Sequence, residues 1–170
     1  MFLLVGGCAS SSSDFIDPTS APYEITANPR ILLDPAAPIE QISLHGVRLG
    51  DDESSIPEAK IHERDTRRGW VFMRDPTRYR IVNGKVVTLG CWDQRLLAQL
   101  GVNAQEDIER LFGKAELVAQ ISPSNTTYHF QDGQRRAIWD SFTKRLAAVN
   151  IGRPAATTEP AEEAESPKQP

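Results

Sequence analysis

Between about residues 23 and 152, apolar positions come in short blocks separated by turn-forming residues, a spacing that predicts strands more than long helices. Ile39, Ile42, Leu44, Val47 and Leu49 punctuate an extended stretch that Gly50 closes, and after a polar interval Gly69 introduces the apolar block Trp70-Val71-Phe72-Met73. The sharpest signal runs from Tyr79 to Leu89, two β-rich runs around Asn83-Gly84. Asn-Gly accepts the positive φ values of a type I′ turn, so this segment predicts a tight hairpin. Thr126 to Phe130, then Asp132-Gly133, then Arg136 to Trp139 predict a second one by the same rule.

Helical signals are fewer. Asn103 can cap, Glu106 can complete a capping box, Ile108, Leu111 and Phe112 make one apolar face, and Gly113 stands where a helix should end. A helix is expected over about 104–112, and a shorter one over 94–100, ended by Gly101. Within each strand alternate residues share a face, so Trp70, Phe72, Tyr128, Phe130 and Ile138 are expected to line one buried side, with His129 on the other.

The same order occurs twice. Leu49-Gly50-Asp51-Asp52-Glu53 parallels Leu100-Gly101-Val102-Asn103-Ala104, Trp70-Val71-Phe72 parallels Tyr128-His129-Phe130, and Val86 to Gly90 parallels Ala148 to Gly152. The expected fold is therefore α+β: two tandem helix-plus-antiparallel-hairpin units, about 42–90 and 91–152, sharing one core within a folded domain of residues 23–152. Pro57 should truncate the first helix, because proline lacks the amide donor and clashes with the preceding turn.

The ends differ in composition. Phe2 to Val5 is apolar, Gly6-Gly7 are small and Cys8 follows, after which residues 8–22 are Ser-rich with Pro18 and Pro22, as in a flexible tether. Residues 153–170 are mostly Pro, Ala, Thr and Glu, and are expected to be an acidic, unordered tail. A chance cysteine in a small-residue turn is one alternative for Cys8, against which the tether-like composition after it speaks, and a bridge to Cys91 is the other.

On these residues, Val5-Gly6-Gly7-Cys8 resembles a bacterial lipoprotein signal, which implies a signal peptide over 1–7, diacylation of Cys8 and an outer-membrane location facing the periplasm, with Ala9 favouring that membrane. Leu100 to Ile108, with Leu111-Phe112-Gly113-Lys114 and the aromatic strands that follow, resembles the helix-plus-hairpin repeat of β-lactamase-inhibitor-like proteins and of small outer-membrane assembly lipoproteins. That resemblance implies an envelope protein partner.

Charge and candidate chemistry narrow the choice without deciding it. The formal net charge of -4 is mild and gives no reason to expect nucleic acid. His45, His62 and His129 stand in no metal-ligand spacing, so neither a metal nor a cofactor is expected. Cys91 lacks an activating motif and reads as a small buried hydrophobe, and no catalytic residue is assigned. Arg64, Arg67, Arg68, Arg74, Arg78 and Arg80 form a basic run, either a solvated sheet face or a patch for an acidic partner or anionic headgroups. The expected function is a non-catalytic envelope lipoprotein that binds protein or supports outer-membrane assembly; the alternative is a small enzyme or ligand-binding domain with its site in the cleft between the two units.

Overall fold

The computed structural model describes residues 23–153, so the expectations for the signal, the lipid-modified Cys8, the tether and nearly all of the acidic tail lie outside the described residues. A two-residue pair of strands, β1 (Ser43–Leu44) and β2 (Val47–Arg48), comes first. Next come β3 (Ile61–Asp65), β4 (Trp70–Met73), β5 (Thr77–Val82) and β6 (Lys85–Cys91). After helices α1 (Gln94–Ala98) and α2 (Glu106–Phe112) the chain adds β7 (Leu117–Gln120), β8 (Asn125–Phe130), β9 (Arg135–Asp140) and β10 (Arg145–Gly152). Strands β3 to β10 form one antiparallel sheet in the order β3-β4-β5-β6-β10-β9-β8-β7.

This arrangement overturns the α+β expectation. The fold is mostly β, and what repeats is a four-stranded meander, not a helix-plus-hairpin unit. Between β2 and the first meander, where the first helix was expected, there are only two 3-10 turns, Glu53–Ser55 and Glu58–Lys60, split at Pro57, whose ring cannot sit inside a helix. Ahead of the second, α1 has 5 residues and α2 has 7, too short to form a layer of their own. The Asp93 carboxylate caps α1 by accepting from the Arg95 amide at 2.9 Å. At α2, Asp107 does what was expected of Asn103 and Glu106, accepting from the amides of Asn103 and Ala104 at 2.9 and 3.0 Å.

The hairpins form where the turn chemistry placed them. Asn83 and Gly84 take φ values of 52° and 71° between β5 and β6, and Gln131, Asp132 and Gly133 are all at positive φ between β8 and β9. Both meanders then carry the same irregularity: a bulge skips Val87 opposite β5 and Ala147 opposite β9. Aligning the bulges superposes β6 on β10 with Gly90 matching Asn150, and β5 on β9 with Arg78 matching Arg136. The two meanders meet at a seam where β6 and β10 pair antiparallel, Gly90 opposite Asn150.

One sheet face is covered. Val71, Met73, Tyr79, Leu89, Cys91, Tyr128, Phe130, Ala137, Trp139, Val149 and Ile151 pack there against Leu97, Ile108 and Phe112 of the helices and against Ile25, Ile31, Leu32, Ile42, Leu44 and Val47 of the N-terminal arm. Phe112 stacks on Phe130 with ring centroids 5.4 Å apart. Tyr79 donates its hydroxyl to the Leu44 carbonyl at 2.7 Å.

The arm is held by two charged groups, the half-buried Glu24 and the buried Arg135. The Glu24 carboxylate accepts from the amides of His45 and Gly46, both at 2.9 Å, and from the Thr26 and Ser43 hydroxyls, fixing the β1–β2 turn. Arg135, on the core side of β9, donates to the carbonyls of Ile31 and Leu32 at 3.0 Å and of Ala37 at 2.8 Å.

The expected sharing of one face by Trp70, Phe72, Tyr128, Phe130 and Ile138 is corrected by the register. Trp70 faces Arg80, Phe72 faces Arg78 and Ile138 faces Thr127, all on the uncovered side, while Tyr128 and Phe130 are in the core. The meander alignment matches Val71, not Trp70, to Tyr128, and a slip of one residue along a strand turns every side chain to the opposite face.

Candidate functional site

The uncovered face holds a cleft of about 220 Å³ that straddles the seam, lined by strand residues from both meanders and by Ile121 just beyond β7. One row runs across this face of the sheet: Phe72, Arg78, Gly90, Asn150, Arg136 and His129 face one another in sequence on β4, β5, β6, β10, β9 and β8, and Arg78, Asn150, Arg136 and His129 of that row line the cleft. Gly90 is required at the centre of that row. A Cβ there would lie 2.7 Å from the Asn150 side-chain oxygen and 2.9 Å from Cγ of Arg78, so its absence lets the arginine stem lie flat across β6.

Three guanidinium groups converge. Arg78 sits over the Trp70 ring at 4.2 Å and the Trp92 ring at 5.0 Å, a cation–π clamp, and Nη2 reaches the Asn150 side-chain oxygen at 3.4 Å. Arg80, two residues on along β5 and so on the same face, lies 5.8 Å from the Trp70 centroid. Arg136 anchors from β9, donating to the carbonyls of Gly133 at 2.9 Å and Gly152 at 3.1 Å.

No carboxylate answers these charges among the described residues, whose ion pairs use other side chains. Buried Nε atoms of both Arg78 and Arg80 lack a hydrogen-bond partner among the described residues, and so does the hydroxyl of Thr127. Electrostatics report the same crowding. Burial, and then the charges of Arg78 and Arg80, push the Arg136 guanidinium down to about 10. Burial and the Arg136 charge likewise hold His129 below the ordinary histidine value. Unsatisfied donors around uncompensated positive charge make an arrangement suited to an anion.

The basic run expected from the sequence divides. Arg64 pairs with Glu53 and, at 2.7 Å, with Glu58. Arg67 and Arg68 lie exposed in the β3–β4 turn and Arg74 is exposed after β4, so these four face outward. Only Arg78 and Arg80 enter the cleft, where they meet Arg136, Asn150 and Thr127, which sequence reasoning did not single out. The available signal was Arg135-Arg136, adjacent cations in an otherwise apolar strand, which must point to opposite faces and cannot both be solvated on a half-covered sheet. His129 lies opposite Tyr128 and Phe130 as expected, but half-buried on the wall of the cleft.

Other candidates carry less chemistry. Cys91 is buried on the core face, and burial raises its thiol to about 11, which leaves little thiolate at neutral pH. Among the described residues no group of His, Cys, Asp and Glu could hold a metal ion. A depression of about 370 Å³ where Ile39, Glu40 and Leu49 meet the ends of β6 and β10 lacks any comparable convergence of charge.

No family model and no curated protein matches the chain. Among solved structures it is similar to a DUF4309 family protein from Bacillus subtilis, at 10% identity and a TM-score of 0.45, covering 61% of this chain and 79% of that one. It is also similar to an extracellular protein containing a SCP domain from Bacillus anthracis, at 15% identity and a TM-score of 0.38, covering 61% of this chain and 43% of that one. Neither likeness carries a functional argument. No helix among the described residues is long and apolar enough to cross a membrane.

Proposed function

We propose that this protein is a non-catalytic binding module of the bacterial cell envelope, held to the outer membrane by lipid on Cys8, which docks a partner protein on the uncovered face of its sheet. The observation that carries the reading is the asymmetry of that sheet: one face is sealed by the arm and helices, while the other presents Trp70, Phe72 and Ile138 beside Arg78 and Arg80. Aromatic and arginine side chains on a rigid surface supply most of the energy in protein interfaces. The free guanidinium groups select an acidic partner.

Two experiments test it. Cys8→Ser should move the protein from the membrane to the soluble fraction; a variant that still pellets after a salt wash refutes the anchor. A photo-crosslinking residue at Phe72 should capture one partner in intact cells, one at Arg67 should not, and Arg80→Glu should abolish the capture. Equal capture from both positions refutes the docking face.

A second reading has its own support. The cleft lies between the two meanders, bounded on both sides of the seam, which is where a small ligand would be held by a domain of this kind.

A further inference from the structure

We propose that the cleft over the β6–β10 seam is a binding site for a phosphate-type oxyanion, gripped by Arg78, Arg80 and Arg136. The inference rests on the ligand-cleft reading and gives it a chemical class. Its ground is a count of unmet needs. Among the described residues Arg78 and Arg80 each bring a buried Nε with no acceptor, and the Thr127 hydroxyl is unpaired on the facing wall. Buried donors of this kind are rare in folded proteins unless something else satisfies them. Among the described residues no carboxylate pairs with Arg78, Arg80 or Arg136, so three guanidinium charges lie uncompensated around one cleft.

The geometry separates classes of anion. A carboxylate offers two oxygens in one plane and is saturated by a single guanidinium fork. Here the cations approach from different strands: Arg78 and Arg80 from β5, and Arg136 from β9 across the two strands of the seam. Donors converging from separate directions suit a tetrahedral anion, whose oxygens point to different partners at once. A dianion also offsets more of the mutual repulsion among the three arginines than a monoanion does.

The cleft is built to keep this arrangement when empty. Trp70 and Trp92 clamp Arg78, Gly90 leaves room for its stem, and backbone carbonyls hold Arg136, so the ligand meets groups already in place. Trp70, Ile121 and Ile138 supply apolar wall next to the charges. The phosphate could therefore be the free inorganic ion or the group of a small organic phosphate ester, and the wall favours the ester.

The test uses the full 170-residue chain and inorganic phosphate, phenyl phosphate and benzoate as probes, at constant ionic strength, read by tryptophan fluorescence and by melting temperature. Inorganic phosphate should give a saturable fluorescence change and raise the melting temperature. Arg80→Gln, which removes a guanidinium whose Nε has no partner in the fold, should keep the unliganded melting temperature and weaken phosphate about tenfold or more. Thr127→Val, close in shape, is the second variant and should weaken binding in the same sense. Tighter binding of phenyl phosphate than of phosphate assigns an ester, and equal binding assigns the free ion.

Benzoate binding as tightly as phenyl phosphate, no saturable response to phosphate, or an unchanged response in both variants each overturns the proposal. Failure here with crosslinking at Phe72 intact removes the oxyanion site and leaves the protein-docking reading standing. Phosphate binding without crosslinking does the reverse.

Discussion

Arg135→Leu should detach the N-terminal arm before it unfolds the sheet. Arg135 is a cation at 2% exposure that forms no ion pair among the described residues, and its guanidinium is the shared partner of three carbonyls, from Ile31, Leu32 and Ala37, and of the Gln131 side chain. Leucine fills much of the space but accepts and donates nothing. Each orphaned buried carbonyl costs about 1–3 kcal/mol. Two effects offset this: a buried cation no longer has to be desolvated, and the arm can shift until water reaches the carbonyls. The net loss should be about 2–4 kcal/mol, large beside the 5–15 kcal/mol typical of whole domains. With a urea slope of about 2 kcal/mol per molar, the midpoint falls by about 1–2 M. Amide exchange locates the damage. The amides of Leu33 and Ala37, bonded to the carbonyls of Arg30 and Asp34, should exchange much faster, while those along the β6–β10 seam stay protected relative to the new global stability. A midpoint shift below about 0.3 M, or arm and seam amides exchanging together, would refute the claim that Arg135 latches the arm.

Phe130→Ala should cost about 3–5 kcal/mol by emptying a core site, and a double-mutant cycle with Phe112→Ala should show about 0.5–1.5 kcal/mol of coupling from their stacking; strict additivity in urea melts would refute the stacking term. Burial raises the Glu24 carboxyl, but hydrogen bonds from Gly46, Thr26, Ser43 and His45 outweigh it and leave the group below its ordinary value. The stability this group contributes is therefore complete above the unfolded carboxyl value of about 4.3 and is lost as pH falls through the lower folded value. Melts across that window should fall less steeply for Glu24→Gln than for the parent chain, and equal slopes would remove Glu24 from the acid response.

How much was legible follows from what each signal depends on. Asn83-Gly84 and Asp132-Gly133 are local chemistry, and both hairpins stand where they predict. The edge strands β3 and β7 were not legible, because with one sheet edge open and little burial they carry no alternation: Ile61-His62-Glu63-Arg64-Asp65 reads as polar. Both expected helices form, at Gln94–Ala98 and Glu106–Phe112, but the end signals read for them, Asn103, Glu106, Gly101 and Gly113, serve one or two turns as well as a long helix, so their weight in the fold was over-read. The face error came from aligning aromatic residues with one another. Phe72 matches His129 across the meanders, so similarity of residue type gave a register one position out. The arginine cleft needs the strand order, since Arg78 and Arg136 lie 58 positions apart in sequence and meet only because β6 pairs with β10.

That seam also dictates an order of events as the chain acquires its structure. Every other strand contact of the large sheet joins near neighbours in sequence, so each meander can form early from its own turns. The β6–β10 pairing must bring together Cys91 and Val149, and until it does, the apolar side of the first meander has no continuation and β6 is a bare edge. The arm comes later still in logic though first in sequence, because the guanidinium that holds Ile31 and Leu32 belongs to a strand about a hundred residues downstream. The arm, although it precedes every strand of the large sheet, thus cannot be locked until β9 exists, and a chain cut short before β9 would leave it without its anchor.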